Sequence, residues 1–203
     1  MSLRAELLGT SPQLPDFAVM LPTDWISSGP DYAEFRARAD ARLEALPVAQ
    51  RASARVQLAA ILDDAAGQAV SGDVIRVFAP GSDDPDLFAP VSLSAAWVHA
   101  PQGASAADLG AQLISRYGAA PMDEAGTVLR WEETRETAMD GGSVTVRSIS
   151  YVLPVPGRPR SVLMLRGTVL CGTHAAAVPD DAITAMTMIC DGIAASVRWR
   201  RDA

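Results

Sequence analysis

The sequence predicts an α+β fold in which a mostly antiparallel β-sheet is packed between α-helices. Three observations predict it. Asp140-Gly141 lies between two long strand-like runs, and a type I′ hairpin turn needs the positive φ angles that Asp-Gly tolerates. The run Val162-Leu163-Met164-Leu165-Arg166-Gly167-Thr168-Val169-Leu170 is apolar on both faces, as expected of a central strand covered on both sides by at least one helix. Segments with apolar residues every three or four positions flank these strands, so each helix has one stripe to bury against the sheet.

Taken in order, the run from Pro15 to Pro22 predicts a short strand at a sheet edge, where a missing proline amide is tolerated, with Trp25 in the turn that follows. Asp31 precedes Glu34 by three, a helix-start spacing, and Phe35, Ala39, Leu43 and Leu46 form one stripe. Pro47 suits the first turn of a second helix, whose Ala52, Val56, Ala59 and Leu62 run up to Gly67 and complete a helical hairpin. Val74-Ile75-Arg76-Val77-Phe78 reads as a strand that stops at Pro80-Gly81. Val91, Leu93, Ala95, Trp97 and His99 alternate with Ser92, Ser94, Ala96 and Val98, the signature of a half-buried strand.

Ser105 with Asp108 predicts a capped helix start, and the stripe Leu109, Leu113, Tyr117 leads to Gly118 as a C-cap. In the hairpin, the two-residue turn places Met139 against Gly142, hence Trp131 against Ser150 and Leu129 against Val152. A slip of one residue would turn one strand's apolar face outward. Pro156-Gly157 marks a turn before the central run. A last helix starts at Pro179 and buries Ile183, Met186, Cys190, Ile193 and Val197, with Asp180 and Asp181 at its start and Arg198, Arg200 and Arg201 at its end to suit the helix dipole.

The chain's 203 residues suffice for a single globular domain spanning 1–203, and no repeat, linker or low-complexity tract divides it. With 49 % hydrophobic residues and a mean hydropathy of +0.13 it is too apolar for disorder, yet it has no apolar run long enough to span a membrane. The net charge of −7 argues against nucleic acid or an anionic membrane as partner. Every one of the 17 basic residues is arginine, and lysine and asparagine are absent, a bias that points to a GC-rich bacterial genome. The opening segment from Met1 to Leu8 carries an acid and no apolar signal core, which predicts a cytoplasmic protein.

Dinucleotide, P-loop, nucleophile-elbow and HExxH zinc motifs are all missing. Without lysine there is neither a P-loop amine nor a Schiff base, so no cofactor is expected. Cys171 and Cys190 fit neither a redox pair nor a zinc site, and free thiols are the expectation. Cys171 with His174 is the best catalytic constellation, a thiol and an imidazole three residues apart, but nothing in the sequence would orient the histidine. Asp83, Asp84 and Asp86 lack the distal glutamate of a calcium loop and read as a solvated loop; no metal is expected.

Four residues remain as binding candidates. Arg166 interrupts an apolar strand and must find carboxylate or carbonyl partners, for which Glu132, Glu133 and Glu136 offer themselves, or bind an anionic ligand. His99 shares the apolar face with Trp97 and reads as a histidine satisfied at the sheet's rim, or as a ligand contact. Trp25 and Trp199 lie near element ends and could serve a contact surface.

The segment Phe17-Ala18-Val19-Met20-Leu21-Pro22-Thr23-Asp24-Trp25, a strand ending in Leu-Pro before a turn tryptophan, resembles the start of PsbP-like domains, which include an extrinsic subunit of the photosynthetic oxygen-evolving complex and a Ran-binding nuclear import factor. The resemblance implies a central antiparallel sheet between helices with a closing C-terminal helix. It also implies binding or assembly rather than catalysis. The two helices at 31–67 and the segment Leu153-Pro154-Val155-Pro156-Gly157 do not map onto that family; the latter, with Arg198-Trp199, resembles proteins of GC-rich Gram-positive bacteria. The function expected is that of a non-enzymatic accessory protein acting through an unidentified protein partner or as a homodimer. The alternatives are a module for a small-molecule ligand, an anionic one among the options, and, behind it, a Cys/His enzyme.

Overall fold

The computed structural model describes residues 14–44, 72–81, 89–139, 142–173 and 177–200, together with Arg51, Arg55, Asp63 and Gly67. In chain order its elements are β1 (Phe17–Ala18), β2 (Trp25–Ser28), α1 (Ala33–Glu44), β3 (Val74–Pro80), β4 (Val91–His99), α2 (Ala106–Tyr117), β5 (Ala120–Pro121), β6 (Leu129–Met139), β7 (Gly142–Pro154), β8 (Ser161–Thr173), α3 (Asp180–Ala195) and β9 (Arg198–Trp199). Strands β2-β3-β4-β8-β7-β6-β5 form one antiparallel sheet in that order, and β1 pairs with β9 apart from it. This is the α+β architecture that the hairpin, the central run and the helical stripes predict. The apolar run is indeed a central strand, since β8 lies between β4 and β7.

The hairpin register matches the sequence reading, with Met139 against Gly142, Trp131 against Ser150 and Leu129 against Val152. The short N-terminal strand is only two residues long and pairs with the chain's end. Trp25 departs from expectation: it is not in a turn but opens β2, paired with Pro80, and packs half-buried against the main core. Its β-favourable neighbour Ile26 and the free edge of β3 draw that segment into the sheet.

Helix α3 covers one sheet face and buries Ile183, Met186, Cys190 and Ile193 against Leu93, Ile149, Leu163, Leu165 and Val169. Each such aliphatic side chain contributes about 1.5–3 kcal/mol on leaving water. Gly167 lets the helix approach, because a Cβ there would stand 2.9 Å from Cys190 Sγ. Beyond α3, Arg198 donates hydrogen bonds to the carbonyls of Ala195 and Val197, at 3.0 and 2.7 Å. Asp16 holds both Arg200, at 3.2 Å, and Arg76, at 3.7 Å, and so ties the two ends of the fold to β3.

Helices α1 and α2 lie on the opposite face. Helix α2 has the predicted capping box of Ser105 and Asp108 and a left-handed Gly118 at φ 65°. It covers Trp131, Val152 and Val162 with Leu109 and Leu113. At the start of α1 the Ser28 hydroxyl accepts the Glu34 amide at 3.4 Å, a role the sequence reading gave to the Asp31–Glu34 spacing; Asp31 accepts from Ala33 instead. Arg51, Arg55, Asp63 and Gly67 are helical, and ion pairs join Arg36 to Asp63 at 2.8 Å and Glu44 to Arg51 and Arg55 at 3.0 and 2.8 Å. That order of contacts is the one an antiparallel helix pair makes. Leu46, Pro47, Ala52, Val56, Ala59 and Leu62 lie outside the described residues, as do Asp83, Asp84, Asp86 and Asp140-Gly141.

Candidate functional site

Directly opposed residues of antiparallel strands share a face, so the pairings trace one row across six strands: Ser28, Val77, Ser94, Arg166, Ser150 and Trp131. A parallel row one step away holds Ser92, Thr168, Ser148 and Glu133. The middle of this face is therefore a block of hydroxyls around one guanidinium, set between α1 and α2. On the other face the equivalent strand positions carry Leu93, Gly167 and Ile149 under α3. The expectation of a helix on each side of the central run thus holds over Val162 and Met164 but fails at Arg166, which no described helix covers.

Arg166 is exposed, and its Nε donates to Ser150 Oγ at 3.5 Å, a weak contact. The glutamates expected to pair with it stand on β6, two strands away, because β7 lies between. No described carboxylate forms an ion pair with it. Ser150 is fully buried and Trp131 is 5 % exposed, stacked on Tyr117 with ring centroids 5.7 Å apart. The Trp131 Nε1–H has no hydrogen-bond acceptor of good geometry. The Arg135 guanidinium, at 2.9 Å, holds the Glu133 carboxyl below the usual carboxylate range, opposed by partial desolvation and helped by the neighbouring Trp131 N–H and Arg166 charge.

Beside this block, an open groove of about 600 Å³ runs between α2 and the sheet. Ala106, Gly110, Ala111 and Ile114 line it from the helix, Leu129 and Val152 from the strands, and no charged side chain among the described residues takes part. Ile114 is 49 % and Tyr117 37 % exposed next to it.

The remaining candidates are placed as follows. His99 is exposed at the end of β4, its Nδ1 2.9 Å from Ser161 Oγ, which is the rim position the sequence suggests. Trp199 stacks on Trp97, centroids 6.2 Å apart, and meets Phe17 edge-on, so it closes the core beneath β1 and β9. Cys171 is half-buried and Cys190 fully buried, both free; His174 lies outside the described residues, so the Cys/His pair has no described geometry. Burial pushes the Cys190 thiol up to about 12, and the neighbouring Asp191 adds to it. Among the described residues no cluster of three metal-ligating side chains occurs.

One half-buried polar network is not legible in the sequence. Tyr151 donates to Asp191 at 2.6 Å, and Arg130 bonds both Asp191, at 2.7 Å, and Glu132, at 2.5 Å. Burial works against the Arg130 charge, but the two carboxylates outweigh it and hold its pKa up; burial, then Asp191, raises the Tyr151 hydroxyl. This network fastens α3 to β6 and β7. No protein-family model and no curated protein matches the chain.

Proposed function

We propose that this chain is a non-enzymatic cytoplasmic accessory protein that works by binding another protein, with the groove between α2 and the sheet as its docking surface. The groove itself carries the reading: about 600 Å³ of uncharged, mainly aliphatic lining, open to solvent, within the size range of sites that accept a bulky apolar group. Small residues at Ala106, Gly110 and Ala111 keep α2 from filling the space with its own side chains. Exposed Ile114 and Tyr117 extend the apolar surface, and such surfaces mark interaction sites. Two free thiols suit a reducing compartment. The resemblance of the opening segment to PsbP-like domains, whose known members bind or assemble, points the same way.

Pull-down from the native host tests this, with Ala111→Glu and Ile114→Glu compared with Met188→Glu on α3. All three positions are exposed, so the substitutions leave the fold intact. The expected result is a protein recovered by the wild type and by Met188→Glu but lost with both groove variants. Equal recovery by all four proteins would remove the groove from consideration. Light scattering on the pure protein shows whether the partner is a second copy.

A further inference from the structure

We propose that the hydroxyl block around Arg166 is a separate binding site for a small oxyanion, a carboxylate or phosphate group, held by the Arg166 guanidinium, the Trp131 indole N–H and the hydroxyls of Ser94 and Ser150. Arg166 and Trp131 stand in one row with Ser150 between them. Strands roughly 4.8 Å apart put their Cα atoms about 10 Å from each other, a gap that a guanidinium and an indole converging over Ser150 can close. Two donors there lack a full partner. The cation has only a 3.5 Å contact to a hydroxyl and no ion pair among the described residues. The Trp131 N–H is buried with no acceptor of good geometry, the Glu133 carboxylate being near enough only to feel it.

A planar guanidinium with neighbouring N–H and O–H donors matches carboxylate and phosphate oxygens, and it offers little to a cation or an apolar group. Glu133 stands beside the site. Its carboxylate accepts from Arg135 and also feels the Trp131 N–H and the Arg166 charge, so it competes with an incoming anion for both donors. The site is distinct from the α2 groove, whose lining includes neither Arg166 nor Trp131.

The chain has four tryptophans and hence four indole N–H signals in a ¹⁵N-correlated NMR spectrum. Sodium phosphate and sodium acetate are titrated separately, and the Trp131 signal is assigned by substituting the other three tryptophans with phenylalanine in turn. The expected result is a saturable shift of the Trp131 signal with at least one titrant. Arg166→Gln should weaken that response by at least about tenfold, and Glu133→Gln should strengthen it. Arg166 is exposed, so its replacement leaves folding intact. A signal that stays still with both anions, or drifts without saturation equally in wild type and Arg166→Gln, overturns the assignment. Ala111→Glu should leave the response unchanged, which keeps this test independent of the groove.

Discussion

Cys190 shows how position in the fold settles the chemistry of a residue. Its thiol is enclosed between α3 and Gly167, and burial pushes its pKa up to about 12 from an ordinary 9.0. A raised thiol pKa means the folded state favours the protonated form. Its stabilising effect is complete below about pH 9 and is lost as the pH climbs toward 12. At pH 8, iodoacetamide should leave Cys190 unmodified in the native protein and modify it in denaturant, as peptide mass spectrometry can read; rapid native labelling would show that α3 opens readily. Asp191 offers a second residue-scale test. Tyr151→Phe removes one hydrogen bond and should lower stability by about 1 kcal/mol, whereas Asp191→Ala strands the buried Tyr151 hydroxyl and leaves Arg130 with Glu132 alone, and should cost about 2–3 kcal/mol. Urea denaturation of the two variants gives that order, and equal effects would show that the Asp191–Arg130 contact adds nothing. Neither role was readable from the sequence, where Asp191 is one acid on a helix and its partners lie 40 and 61 positions away.

Local signals decided the elements where they agreed with packing. The α2 caps, the β6–β7 register and the buried stripe of α3 follow from spacing alone, because an Asp-Gly turn, a Ser-x-x-Asp box and a 3–4 repeat each specify geometry within a few residues. Strand β2 escaped, since four residues after a Leu-Pro carry little periodicity and become a strand only once β3 offers an edge. Two glycines separate local from tertiary causes. Gly118→Ala meets no neighbour, yet its φ of 65° is unfavourable for alanine, so about 1 kcal/mol should be lost. Gly167→Ala has no backbone objection but drives a methyl to 2.9 Å from Cys190 Sγ, and should cost about 1–3 kcal/mol. Adding Cys190→Ala should relieve much of the second loss and none of the first. A strictly additive double mutant would contradict the close helix approach.

At the scale of the molecule, the sheet has two unlike faces. One is sealed by α3 over a continuous apolar core. The other bears a hydroxyl block around Arg166 and an apolar groove under α2. Sequence reasoning found Arg166 and the Ser92/Ser94 alternation, but it could not join them to Ser148, Ser150 and Trp131, because only the strand order β4-β8-β7-β6 brings these into one patch. It also assigned Arg166 a glutamate partner, whereas Glu133, across the intervening β7, makes its ion pair with Arg135. The central claim is that binding takes place on the face opposite α3. Site-specific photocrosslinking in the native host tests it most directly, with benzoylphenylalanine placed at Ile114 in one strain and at Met188, 67 % exposed on α3, in another. A discrete protein adduct from position 114 and none from 188 is the predicted result; an adduct from 188 alone would contradict it.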